Sequence, residues 1–300
     1  MAEQGEVAVG LLDQRSKRLL EQLRLVVRPR TTSSGQGEHR SDALASGVEF
    51  ADHRKYVPGD DVRRIDWKAF ARHRQLFLKV YEEEREIRIS VLLDVSRSMT
   101  RGEPPKQGVA KSLSAAFGSI GMKQFDQVRV IPFSQDLGRE RTAARSKAEL
   151  PHLEREIEAI ETEDLTDFAA TARAFIDRSP GRGLVVIVTD LMDLSDWGDS
   201  FRVLARAGHE ICLVHVTCIE DVRPRFPGGE LQLRDVETGR EVTVRVNPAL
   251  MEAYRAEVAA HVARCKETCI KVGGRFISAP VELPLHDLLR TVLAPAVSVV

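Results

Sequence analysis

Short apolar runs alternate with stretches of helical periodicity from Ile87 onward, and this rhythm restricts the fold more than any other feature of the chain. Ile87-Arg88-Ile89-Ser90-Val91-Leu92-Leu93, Val128-Arg129-Val130-Ile131-Pro132-Phe133, Leu184-Val185-Val186-Ile187-Val188-Thr189 and Ile211-Cys212-Leu213-Val214-His215-Val216 read as buried strands. Between them lie a helix with the inward stripe Val109, Leu113, Ala116, Phe117 and Ile120, and helices near 146–160, 167–178 and 198–207. Strand and helix in alternation imply an α/β fold, a mostly parallel sheet with helices on both faces. A last strand, Arg275-Phe276-Ile277-Ser278, and a short terminal helix complete it.

An inserted β-hairpin interrupts the rhythm: Leu231 and Leu233 alternate on one side of Glu237-Thr238-Gly239-Arg240, with Val242, Val244 and Val246 on the other. Asn247-Pro248 then caps a long helix that Gly273-Gly274 ends. Its stripe Met251, Tyr254, Val258, Val262, Cys265 and Cys269 predicts a core face, which makes the two cysteines core residues rather than metal ligands or a disulfide. At the other end, Leu19, Leu20, Leu23, Val26 and Val27 predict an amphipathic helix over 11–28, stopped by Pro29 and followed by a Ser/Gly-rich loop. Residues 1–85 read as an N-terminal extension carried on a main domain of 86–300.

The residues with chemistry stand at the carboxyl ends of these strands. Asp94, Ser96 and Ser98 form D-x-S-x-S directly after the first run, where ligands sit in open α/β sheets. One carboxylate and two hydroxyls offer only oxygen, which suits Mg²⁺ or Mn²⁺ rather than zinc. Thr166, in Asp164-Leu165-Thr166-Asp167, and Asp190, at the end of the Leu184 strand, add two oxygen donors where a parallel sheet would deliver them. Taken alone, D-x-S-x-S is equally explained by a Ser/Asp-rich turn capping a helix; the added donors favour a metal site.

These five residues resemble the metal-ion-dependent adhesion site of von Willebrand factor A domains. Upstream, Gly47-Val48-Glu49-Phe50, Arg54-Lys55-Tyr56-Val57-Pro58-Gly59-Asp60-Asp61-Val62-Arg63-Arg64-Ile65-Asp66-Trp67-Lys68 and Ala71-Arg72 resemble the signature of the bacterial family called domain of unknown function 58. The resemblance covers residues 10–290 and implies a von Willebrand A-like, Rossmann-like fold. It also implies coordination by the Ser96, Ser98 and Thr166 hydroxyls, with Asp94 and Asp190 binding directly or through water. The open position would accept a carboxylate from another protein, and family members are often encoded beside MoxR-type AAA+ ATPases, which makes such an ATPase or its client the expected partner. Two positions depart from the pattern: Leu191 follows Asp190 where Gly is common, and Asp164-Leu165 replaces a Gly-rich approach to the threonine. Asp164, Asp167 and Asp193 add negative charge nearby, and Arg97 is expected to face solvent.

The signature segment leaves two readings open. Pro58-Gly59 suits a tight turn, Asp60 or Asp61 can cap the helical turn that follows, and Arg63 stands at pairing distance from Asp66. Trp67 and Tyr56 would then anchor a structural charge network. Alternatively, Arg54, Arg63, Arg64 and Arg72 meet an acidic partner or phosphate. His53 and His73 read as surface residues, and His215 as a core or edge histidine.

Composition narrows the function. Lys and Arg total 44 against 45 Asp and Glu, so the charge lacks the basic excess of a nucleic-acid binder; the seven Lys/Arg of residues 15–40 read as a solvated helix face and loop. No run approaches the ~18 apolar residues of a membrane span, and Met1-Ala2-Glu3-Gln4-Gly5-Glu6 lacks secretory character, so a cytoplasmic location is expected. The four cysteines fit a reducing compartment. Two alternatives to an interaction module are a metal-dependent phosphate-ester hydrolase and a scaffold with a vestigial site. Hydrolysis needs a base, and the metal-bearing loops hold no His or Lys; G-x-x-x-x-G-K-[ST] and G-x-S-x-G motifs are also missing.

Overall fold

A computed structural model describes residues 10–25, 48–57, 62, 65–83, 88–123, 127–141, 146–163, 165–179, 181–193, 195–224, 226, 229–234, 239–293 and 297–299. The chain divides into two compact units, Met1–Arg28 with Ile87–Val300, and Pro29–Glu86. The described residues 10–25 thus cluster with the unit that holds the sheet.

In the larger unit, α1 (Gln14–Glu21) starts at Asp13, whose side chain accepts from the Ser16 N–H at 2.6 Å. It is shorter than the helix expected over 11–28. Leu23–Leu25 instead forms β1, because Leu23-Arg24-Leu25 also satisfies the period of two and an antiparallel partner sits opposite, Leu23 against Val299 and Leu25 against Val297. In the smaller unit, β2 (Val48–Lys55) and β3 (Phe77–Glu83) pair antiparallel with an irregularity between Phe50 and Asp52. Between them lies α2 (Trp67–His73).

The larger unit continues with β4 (Arg88–Asp94), α3 (Lys106–Lys123), β5 (Gln127–Phe133), α4 (Leu150–Glu158) and α5 (Phe168–Arg178). Then follow β6 (Leu184–Thr189), α6 (Trp197–Arg206), β7 (Glu210–Thr217), α7 (Ile219–Val222), β8 (Gly229–Arg234) and β9 (Glu241–Val246). The chain closes with α8 (Pro248–Lys271), β10 (Arg275–Pro280), α9 (Leu285–Leu293) and β11 (Val297–Val299). The strands β10-β7-β6-β4-β5 form one sheet in that order, every pair parallel. The expected α/β architecture is present, with the inserted hairpin β8–β9 in the register Leu231 to Val244 and Leu233 to Val242.

Both faces of the sheet are covered, which is why its strands are apolar on both sides. Val91, Leu93, Val186 and Val214 meet Leu113, Phe117, Leu153, Leu288 and the α1 residue Leu20 on one face. Leu92, Val185, Ile187 and Leu213 meet Phe168, Phe175, Trp197 and Phe201 on the other. Helix α3 lies so close to the sheet that a Cβ at Gly121 would come within 2.5 Å of Val128 Cγ2 and 2.8 Å of Ile89 Cδ1. The α8 stripe is buried only toward its end, at Cys265 and Cys269, while Tyr254 is exposed. All four cysteines are free and buried.

The chain reverses its order of travel at β4: β5 is laid down on one side of it and β6 on the other. Such a switch point leaves a crevice outside the strand ends. Asp94 ends β4 there, and Asp190 follows β6.

Candidate metal centre

Strand β4 carries Asp94 to the sheet edge, where the chain turns at once: the Ser96 N–H donates to Asp94 Oδ1 at 3.0 Å. Asp94 Oδ2 accepts from the Thr189 hydroxyl at 2.6 Å, which ties the ends of β4 and β6 together. The Ser96 and Ser98 hydroxyls lie 3.0 Å apart, and both residues are buried with Asp94 and Asp190. Ser96 precedes the 3-10 turn Arg97–Thr100 but makes no side-chain bond to cap it, so the motif is not spent as a helix cap. Arg97, between the serines, is exposed as expected.

The Thr166 loop runs alongside the same edge. Glu163 donates its N–H to the Val95 carbonyl at 2.7 Å and bridges Ser96 in parallel, while Asp167 donates its N–H to the Ser134 carbonyl at 3.0 Å. The Thr166 hydroxyl oxygen is buried without a hydrogen-bond partner. An unpartnered buried hydroxyl is an unfavourable arrangement that a bound cation would relieve. Among the described residues no three His, Cys, Asp or Glu side chains cluster to hold an ion, so a site here has to draw on hydroxyls. The donor set Asp94, Ser96, Ser98, Thr166 and Asp190 fits a hard divalent ion such as Mg²⁺ or Mn²⁺.

The nearby acids divide by task. Asp167 caps α5, accepting from the Ala170 N–H at 2.9 Å, and Asp193 accepts from the Phe168 N–H at 2.9 Å in the same first turn. Both carboxylates are thus held by a helix amino end. Asp164 lies outside the described residues. Burial, together with the Asp190 charge, pushes the Asp94 carboxyl up to about 7. His215 is buried on β7, and burial pushes its imidazole down to about 4 although it bonds the Asp190 backbone.

Leu191 shows why glycine suits the position after the last aspartate. Its φ is +61°, the left-handed region, and its side chain is buried in the core. The turn is held by Thr189 Oγ1, which accepts from the Leu191 N–H at 3.1 Å, and by Asp190 Oδ1, which accepts from the Met192 N–H at 3.0 Å.

Two residues at the site escaped the sequence. Lys106, the first residue of α3, is fully buried, and its Nζ donates to Asp190 Oδ2 and to Asp221 Oδ2, both at 2.7 Å. Burial works to lower its pKa, but the two carboxylates outweigh that and hold it above the usual lysine value. A protonated amine is no general base, so Lys106 does not supply what the hydrolase alternative lacks. The only local hint of Lys106 was a lysine in the first helical turn after Pro104-Pro105, and Asp221 had none.

In the signature segment, Gly59, Asp60, Asp61 and Arg63 lie outside the described residues, as do Arg64 and the side chains of His53 and Arg54 on β2. The cap of α2 is Asp66, which accepts from the N–H groups of Lys68 and Ala69 at 2.9 and 3.0 Å. Trp67 is exposed and meets Phe70 edge to face. Tyr56 is half-buried and donates its N–H to the Leu76 carbonyl, and Arg72 and His73 are exposed in the last turn of α2, where cations suit the helix end.

Uncharacterized proteins of Mycobacterium tuberculosis and Mycobacterium bovis are 26% identical over 288 residues, covering 91% of this chain and 87% of theirs. Among solved structures, an aerotolerance-related membrane protein from Bacteroides fragilis is similar over 70% of this chain and 98% of its own, at 18% identity and a TM-score of 0.46. The conserved hypothetical protein BatB from Bacteroides thetaiotaomicron matches 62% of this chain and 98% of its own, at 18% identity and a TM-score of 0.39. The SpRpn10 VWA domain matches 69% of this chain and 95% of its own, at 10% identity and a TM-score of 0.38. Among the described residues no helix is long and apolar enough to cross a membrane. Residues 52–264 match the model of the family described as protein of unknown function DUF58, and the chain belongs to that family.

Proposed function

We propose that this chain is a divalent-metal-dependent protein-interaction module of the cytoplasm, an adaptor or co-chaperone working with a MoxR-type AAA+ ATPase. The observation that carries the metal reading is the buried, unpartnered Thr166 hydroxyl on a loop bonded to the Asp94-x-Ser96-x-Ser98 turn. Asp94, Ser96, Ser98, Thr166 and Asp190 would hold Mg²⁺ or Mn²⁺. When bound, the ion supplies a Lewis acid only partly neutralised by its hydroxyl ligands, with a position open to an outside oxygen. An acidic side chain of the ATPase or its client is the complementary group, since a hard divalent ion prefers carboxylate oxygen. The ATPase itself is inferred from the family resemblance of the signature segment.

Isothermal titration of Mg²⁺ and Mn²⁺ into chelator-treated wild type and Asp94→Ala tests this. Binding in the wild type alone, followed by capture of the ATPase that is lost in chelator, is the expected result. Capture that ignores both chelator and Asp94→Ala would sink the metal-dependent reading.

A further inference from the structure

Lys106 is enclosed completely, and burying an ammonium is costly unless carboxylates compensate it closely. It has two, Asp190 Oδ2 and Asp221 Oδ2, delivered from elements 84 and 115 residues away in the chain. The other oxygen of Asp190 accepts from the Met192 N–H, so both oxygens of that carboxylate are engaged within the protein. Asp221 Oδ2 also accepts from the Cys218 N–H at 3.4 Å, and the Asp221 carbonyl accepts from the Tyr254 hydroxyl at 2.9 Å, which fixes α7 over the lysine. With Asp94 ionised, Asp94, Asp190 and Asp221 against the single ammonium of Lys106 carry two net negative charges, the amount one divalent ion neutralises.

We propose that Lys106 is a positioning residue that sets the strength of the metal centre. By holding Asp190 and Asp221 it withdraws carboxylate oxygen from the ion, and its own positive charge weakens cation binding. Asp94 and the Ser96, Ser98 and Thr166 hydroxyls would then hold the ion directly, with Asp190 acting on it through water. Asp221, outside the five-residue motif, thereby becomes part of the electrostatics of the site. A weak centre of this kind retains its ion best when a partner adds a carboxylate, which deepens the function proposed above and rests on it.

The two ends of the bridge make opposite predictions. Lys106→Met removes a positive charge, and Asp221→Asn removes a negative one while keeping an acceptor for the amine. Titration of Mn²⁺ followed by the electron paramagnetic resonance of the free ion should show Lys106→Met binding about tenfold tighter than wild type, and Asp221→Asn about tenfold more weakly. Melting supplies a second readout: Lys106→Met should melt below wild type in chelator and recover with Mn²⁺. If Lys106→Met does not fold, Asp221→Asn decides alone. Wild-type binding with both variants unchanged, or both shifted the same way, would make Lys106 a structural bridge and leave the metal centre standing. No Mn²⁺ binding in the wild type or either variant would overturn the metal reading and this inference together.

Discussion

Asp94 makes the energetics of the site measurable. Its carboxyl titrates near 7 in the folded chain against 3.8 as the ordinary value, because burial and the Asp190 charge disfavour the anion. The folded state therefore holds a proton that the unfolded state releases between those values, and stability falls as pH rises through that window. Asp94→Asn removes the titration. In chelator at pH 8 the variant should be more stable than wild type, by up to a few kcal/mol, and the gain should vanish near pH 4. Urea unfolding at the two pH values checks this, and a variant no more stable at pH 8 contradicts it. The same substitution should abolish Mn²⁺ binding, which would locate the cost of the bare site in the residue that gives it function.

At the scale of elements, the turn after β6 carries the site's second carboxylate on a strained frame. Leu191 occupies the left-handed region, about 1 kcal/mol or more above the ordinary conformation for a residue with a side chain, yet it is buried against the α5–α6 face. Its carbonyl lies 2.9 Å from His261 Nε2, which joins the turn to α8. Leu191→Ala and Leu191→Gly both lose the buried side chain, at about 2 to 5 kcal/mol. Glycine ordinarily costs more than alanine through unfolded-chain entropy, but here only glycine relieves the backbone. Leu191→Gly should melt no lower than Leu191→Ala; an order favouring alanine by several degrees would mean that the turn is unstrained.

For the molecule as a whole, the segment Leu12–Leu23 contributes to the core. Leu12, Leu20 and Leu23 are buried among α3, α9 and the sheet, Lys123 donates to the Leu20 carbonyl at 2.6 Å, and Lys17 pairs with Glu154 of α4 at 3.0 Å. Burying three leucines contributes on the order of 5 kcal/mol. Deleting residues 1–25 should therefore lower the urea midpoint strongly or leave the larger unit unfolded, whereas an unchanged midpoint would make the segment an appendage.

How much of this was legible depends on the range of the interaction involved. Periodicity and caps act over a few residues, so the β/α rhythm, the hairpin, the Asn247 cap and the set of oxygen donors could be read directly from the chain. The same local reading carried the first helix through Leu23-Arg24-Leu25, because a period of two and a helical stripe are indistinguishable over three residues until a partner strand is present. Asp193 looked like site charge because nothing local reveals that it serves the amino end of α5, 25 residues back in the chain, whereas the Asp167 cap, three residues from Ala170, lay within local reach. The sequence by itself determined which strands are buried and which oxygen-bearing side chains emerge at their ends. Only the tertiary structure decided that Lys106 lies between Asp190 and Asp221, because an ammonium finds its counter-charges through space, and sheet order, not chain order, sets what is near.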